Sequence, residues 1–212
     1  MSQLFPYIEA IVAHNLDRLD AEELFSLALE RVNSNAHGEA IDYLKRALDL
    51  NPSDAGACYL LGAEYAQIGM MDRGLEFMAK AVKLDPQLHT GVFQLGLLYL
   101  SSGRQAEAAI TWQGLDGLGE DHPLVLFKSG LEALERSEFD ICRQMLERGI
   151  KGNMVNPALN VDMTRVLEKL STMLGNQAVV GDNEASIPGA KPEAAVPGEH
   201  FFISAYRDKE SH

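Results

Sequence analysis

The chain has little cysteine, no long apolar run, no basic run and no nucleotide-binding glycine motif, and each absence narrows what it does. Its two cysteines, Cys58 and Cys142, stand at no spacing that suits a zinc site or a redox pair. Two reduced thiols serving as small apolar residues are expected, as in a reducing compartment. No apolar stretch approaches the ~18–20 residues that a membrane-spanning helix needs. The first twenty residues, MSQLFPYIEAIVAHNLDRLD, lack a basic start and carry acids where a signal peptide is apolar. A cytoplasmic location is therefore expected. Acidic residues outnumber basic ones 31 to 18, a formal charge of −13. That excess repels phosphate backbones and anionic lipid, so neither nucleic acid nor a membrane surface is expected as a partner.

Chemistry is also thinly supplied. Six histidines (His14, His37, His89, His122, His200, His212) are scattered, without the carboxylate or cysteine partners of a metal site. Asp116, Glu120, Asp121 and His122 cluster, but a solvated turn accounts for them. No P-loop, dinucleotide fingerprint or nucleophile elbow is present. The expectation is a non-enzyme with no catalytic residue, no metal and no cofactor. A hydrophobic content of 46% nevertheless supports a substantial core.

What is there is a period. Pro52 and Pro86 lie 34 residues apart, and so do Pro123 and Pro157. Proline breaks helices and marks junctions. Windows of 34 starting at Ala21, Ala55, His89 and Pro123 put Ala28, Gly62, Gly96 and Gly130 at the eighth place. The twentieth place reads Ala40, Gly74, Ala108 and Cys142; the twenty-seventh reads Ala47, Ala81, Leu115 and Gly149. Small residues at fixed places let two helices cross closely. Leu44, Met78, Trp112 and Leu146 recur at the twenty-fourth place as large fillers.

This pattern resembles the tetratricopeptide repeat, W-x2-L-G-x2-Y, then A-x3-F, then P. The second window carries Leu61-Gly62, Tyr65, Met78, Ala81 and Pro86, and the third Leu95-Gly96, Tyr99, Ala108 and Trp112. Departures are Arg31 and Ala133 at the tyrosine place, Ser129 for the leucine, and Leu115 with a proline delayed to Pro123. Gly114, Gly117 and Gly119 fill that gap, so an irregular third junction is expected. The resemblance implies an all-α fold, a right-handed α-solenoid of about four helix hairpins with N- and C-terminal capping helices. The expected division is an N-terminal amphipathic helix over 1–20, four repeats over 21–156, a capping helix over 157–175 and a flexible tail over 176–212. Within the first two windows the leading helix is expected over Glu22–Ser34 and Gly56–Ile68, with Gly69 and Gly103 ending helices in a left-handed conformation. In the capping helix, Leu159, Met163, Val166, Leu167 and Leu170 form the apolar side; Asp162, Arg165, Glu168 and Lys169 are expected on the outer face.

The resemblance further implies that ligands bind the face lined by the leading helix of each hairpin. Its fifth place reads Phe25, Tyr59, Phe93 and Phe127, its ninth Leu29, Ala63, Leu97 and Leu131, and its twelfth Val32, Ala66, Leu100 and Leu134. Twelve places without a charge predict an apolar, peptide-binding groove, so the expected partner is a protein or peptide with an apolar or amphipathic segment. The lysine, asparagine and arginine clamp by which some members grip a C-terminal carboxylate has no counterpart: its places hold Phe25, Leu29, Leu60, Thr90 and Gln94. Two flanks offer further contacts. The N-terminal segment spaces Leu4, Phe5, Ile8, Ile11, Val12, Leu16 and Leu19 as a helix face, suited to capping the first repeat or to a homodimer contact. Near the C-terminus, Phe201, Phe202, Ile203 and Tyr206 follow a Gly/Pro/Ala/Glu-rich stretch, as a segment able to dock into the chain's own groove. The function expected is an interaction scaffold or adaptor. The alternatives are a structural subunit assembling through its ends and a chaperone of an export substrate. The latter rests on a resemblance to the class II chaperones of type III secretion, from which the chain departs in repeat number and in its tail.

Overall fold

The computed structural model describes residues 18–180, and every described element is helical: α1 (Ala21–Asn33), α2 (His37–Leu50), α3 (Ala55–Gln67), α4 (Met71–Leu84), α5 (His89–Ser101), α6 (Gln105–Trp112), a 3-10 helix (Gln113–Leu118), α7 (Pro123–Glu135), α8 (Phe139–Gly152) and α9 (Pro157–Val180). The fold is all-α. The ends of α1 and α3 fall within one residue of the sequence expectation, whereas α9 runs on to Val180, past the boundary expected at 175. The expected N-terminal helix falls on residues 1–17 and the aromatic end segment on 201–206, both outside the described residues. Contacts divide the chain into two units, up to Gly91 and from Val92 onward, and each is built in the same way.

Starts and stops repeat with the period. Asp20 caps α1 in a reciprocal box with Glu23, Asp54 caps α3 through Ala57 N–H, and His122 Nδ1 accepts from Leu124 N–H at the head of α7. Asn156 Oδ1 accepts from Leu159 N–H, at the same place in the next window. Each cap satisfies an N–H that the first turn leaves unpaired. At the other end, Asn35, Gly69, Gly103 and Ser137 all have positive φ, between 56° and 81°. The residue after each returns its N–H to a carbonyl five residues back: Ala36 to Arg31, Met70 to Tyr65, Arg104 to Tyr99 and Glu138 to Ala133, at 2.8–2.9 Å. This is one Schellman turn used four times. Sequence reading named its glycines and missed Asn35 and Ser137, which take the same conformation at greater cost.

Within each hairpin, the small residue at the eighth place receives the large one at the twenty-fourth. A Cβ on Gly62 would stand 2.7 Å from Met78 Cγ, one on Gly130 2.7 Å from Leu146 Cδ2, and one on Gly96 would enter the Trp112 indole. Met78 and Leu146 are wholly buried, as is Leu44 in the first hairpin. These pairs set the close crossing within each repeat, and their interdigitation adds to its hydrophobic stabilisation.

The third junction is irregular, as expected. After Trp112 the helix tightens into the 3-10 segment, buries Leu115 and turns at Gly119, φ 90°. Two solvent-facing ion pairs border it: Lys128 Nζ to Asp116 Oδ1 at 2.7 Å, and Arg148 to Asp121 Oδ1 at 2.6 Å. Asp116 and Asp121, read as part of a solvated turn, are exposed and meet cations of α7 and α8. An asparagine network closes the last junction. Asn153 Nδ2 donates to Asn156 O and to Asn160 Oδ1, and Asn160 Nδ2 donates back to Asn153 O.

Candidate functional site

The face expected to bind is carried by α1 and α3 in the first unit and by α5 and α7 in the second. Four of its twelve places are half-buried, Phe25 and Leu29 on α1, Leu100 on α5 and Leu134 on α7, and the rest are buried. Phe25 and Leu29 on α1 are half-buried, whereas Tyr59, Ala63, Phe93 and Phe127 are wholly buried and Leu97 and Leu131 nearly so. The expectation of an open aromatic trough is corrected for these six. The physical reason is visible in their neighbours. Tyr59 stands against Gly91, where an added Cβ would lie 3.4 Å from its Cδ2. Phe93 stacks on Trp112 at 5.9 Å between centroids and tilts against Phe127 at 6.2 Å. Phe127 fills the space left by the missing side chain of Gly149. Ring pairs in offset or tilted geometry gain beyond their buried area, so the aromatic period is satisfied by packing. Val161, at the fifth place of the next window, is 52% exposed.

The clamp places agree with the sequence reading in lacking any cation, and Leu60 and Gln94 are in addition wholly buried. One place further along the period, however, charge enters the second unit. The sixth place reads Gln94, Lys128 and Asp162, and none of the three is fully exposed. Lys128 is held by Asp116 and by Trp112 O, 3.4 Å away. Asp162 was expected on the outer face of α9; instead it is 4% exposed, among Leu159, Met163 and Leu170. Its Oδ2 is buried without a partner and its Oδ1 lies 3.4 Å from Arg165. Burial pushes its carboxyl up to about 6, against the weaker pull of Arg165. The outward assignment failed because the apolar stripe of α9 is broad enough to take in position 162.

A second buried carboxylate sits in the first unit. Glu64 on α3 is wholly buried, with Oε2 2.8 Å from His37 Nδ1 and Oε1 without a partner. Burial raises its pKa, and His37 opposes the rise through its hydrogen bond and charge. Nothing in the residue pattern marks either acid except its place in the period.

Cys58 and Cys142 are free and buried, and burial raises both thiols, which leaves them little thiolate. Among the described residues, no group of three or more His, Cys, Asp or Glu side chains converges on a metal-sized site, and no helix is long and apolar enough to cross a membrane.

Comparison with known proteins places this architecture. Residues 22–54 and 55–88 each match the family profile described as tetratricopeptide repeat. The small glutamine-rich tetratricopeptide repeat-containing protein 2 of Mycosarcoma maydis is 30% identical over 117 residues, covering 55% of this chain and 33% of that protein. Superkiller complex protein 3 of Mus musculus is 27% identical over 129 residues, 56% of this chain and 8% of that one. The chain therefore spans a third or less of the length of these relatives. Among solved structures, MamA aligns with a TM-score of 0.56 at 20% identity, over 69% of this chain and 84% of that one. The Cut9–Hcn1 hetero-tetramer of the APC/C aligns at 0.60 and 18%, over 83% of this chain and 36% of that one.

Proposed function

We propose that the chain is an interaction scaffold of the tetratricopeptide repeat type that holds an apolar or amphipathic segment of a protein partner. The observation that carries the reading is the uncharged face of the leading helices, whose half-exposed entry is Phe25 and Leu29 on α1. Tyr59 and Ala63 act as the packed floor beside that entry in the first unit; Phe93, Leu97, Phe127 and Leu131 are the packed counterpart within the second. A partner gains by covering what remains exposed of this pair, at about 25 cal/mol per Å² of apolar surface.

A photo-reactive phenylalanine analogue at position 25 tests this. It is expected to crosslink an apolar or amphipathic stretch of a partner, and Phe25→Asp with Leu29→Asp to lose that partner while helicity is kept. Retention of the partner by the double variant overturns the reading. Residues 199–212, with Phe201, Phe202, Ile203 and Tyr206, are proposed as a competitor for the same face. Their deletion is then expected to tighten binding, and unchanged affinity removes them from the scheme. A second reading, a subunit of a larger assembly, draws support from the relative named as a Superkiller complex protein.

A further inference from the structure

We propose that His37 and Glu64 form a proton-holding joint between the first and second hairpins, tight while the pair keeps its proton and looser when it is lost. The geometry carries this. His37 opens α2, Glu64 lies in the middle of α3, and Nδ1 and Oε2 are 2.8 Å apart across the hairpin boundary. The His37 side chain is 25% exposed and that of Glu64 not at all. With one proton between them, either an imidazolium donates to the carboxylate or a carboxyl donates to the ring; both forms are satisfied. When the proton leaves to solvent, through the exposed imidazole edge, a neutral ring N–H faces a buried anion. Oε1 has no donor to share that charge. A buried carboxylate so poorly compensated is costly, and separating the hairpins to let water in relieves it.

Among the described charges of the first hairpin, Arg31 pairs with Glu30 and Glu39 at 3.8 and 3.5 Å, and its buried Nε has no hydrogen-bond partner. Of the groups on α2 and α4, which pack against α3, His37 is the one that acts on Glu64. Glu39 on α2 is engaged by Arg31 at 3.5 Å. On α4, Arg73 lies over the Tyr65 ring at 5.6 Å and Lys80 acts on Cys58. Nor does the fold require an ionisable pair here. One period further on, the same two places hold Met71 and Leu98, and Leu98 is 1% exposed. An apolar residue thus suits the buried place, and replacing a buried ion pair by apolar residues is often neutral or stabilising. The burial that raises Glu64 agrees in direction: stability held by the proton is present on the acid side and lost as the pH rises through the folded value.

The test is native-state hydrogen exchange of the full chain at pH 4 and pH 8, corrected for intrinsic exchange, following α1 and α2 amides. The opening constant of the first hairpin is expected to rise about tenfold between the two pH values as the Glu64 carboxyl, raised by burial, loses its proton. In Glu64→Gln, which keeps an oxygen for His37 and removes the titration, the rise is expected to fall below twofold. The pair His37→Met with Glu64→Leu, copying the next period, is expected to be equally flat; should it not fold, Glu64→Gln decides. A wild-type opening that ignores pH, or a tenfold rise that persists in Glu64→Gln, overturns the joint.

Discussion

The second and third hairpins are built to one plan and filled differently. In the second, Met78 lies over Gly62 and α4 runs fourteen residues, to Leu84, before Asp85 turns extended at φ −132°. In the third, Trp112 lies over Gly96, its Nε1 donates to Phe93 O at 2.9 Å, and α6 stops after eight residues. A flexible thioether adapts to the gap it finds; an indole requires the gap, the ring beneath it and an acceptor to be in place together. The bigger filler gives the third hairpin a buried hydrogen bond and an aromatic stack. The helix that carries it ends early, and Leu115, from the 3-10 turn, enters the core instead.

The strongest way to break that comparison is Trp112→Ala. It removes the stack and the Nε1 bond to Phe93 O, for an expected loss of about 4 kcal/mol, read as a fall in the urea midpoint at constant slope. A loss below half of that would mean the third hairpin leans on its turn instead. Gly96→Ala comes next, at about 3 kcal/mol, because its Cβ would meet a rigid indole. Gly130→Ala faces the flexible end of Leu146 as well as the Cys142 carbonyl at 3.3 Å, and is expected to cost about 1 kcal/mol. Thermal unfolding of the two variants side by side ranks them, and equal costs would deny the indole its special place.

Buried carboxylates sharpen the contrast between the units. Glu64 has a hydrogen-bonded histidine, while Asp162 has an arginine 3.4 Å from one oxygen and nothing on the other. With the Asp162 carboxyl pushed up to about 6, the folded chain holds a proton that the unfolded chain releases near pH 4. Its contribution to stability therefore declines as pH rises from about 4 to about 6, and the cost is complete above that. Asp162→Asn is expected to match the wild type near pH 4 and to exceed it by about 2 kcal/mol at pH 7.5. Parallel stability curves for the two would refute a buried, titrating Asp162. The smallest effect is expected at the turns: Ser137→Gly should add about 1 kcal/mol, since φ 58° costs a side-chain-bearing residue what glycine avoids. A neutral or negative shift in melting temperature would show that the Ser137 turn differs from that at Gly69.

The places that sequence made legible are those where one residue type is the only physical solution. Gly69 and Gly103 announce a left-handed turn, Gly62 and Gly96 a close crossing, and the prolines the junctions. Asn35 and Ser137 escaped because a tolerable residue leaves no mark at a position that prefers another. The candidate face was harder to read. Phe93 and Phe127 look alike whether they bind a partner or each other, and periodicity does not record what covers a ring. Asp162 misled for the opposite reason: a charged residue suggests water, and its burial depends on how wide a stripe the neighbouring helix covers.

The crossings at Gly62–Met78, Gly96–Trp112 and Gly130–Leu146 each join residues sixteen apart in the chain. Their loops are therefore of one length, and the entropy of closing them is small and the same each time. Contacts this local belong to chains that fold fast. A ribosome delivering the chain releases a complete crossing with every further 34 residues, so each hairpin can close before the next has been made, and the acidic surface grows one unit at a time.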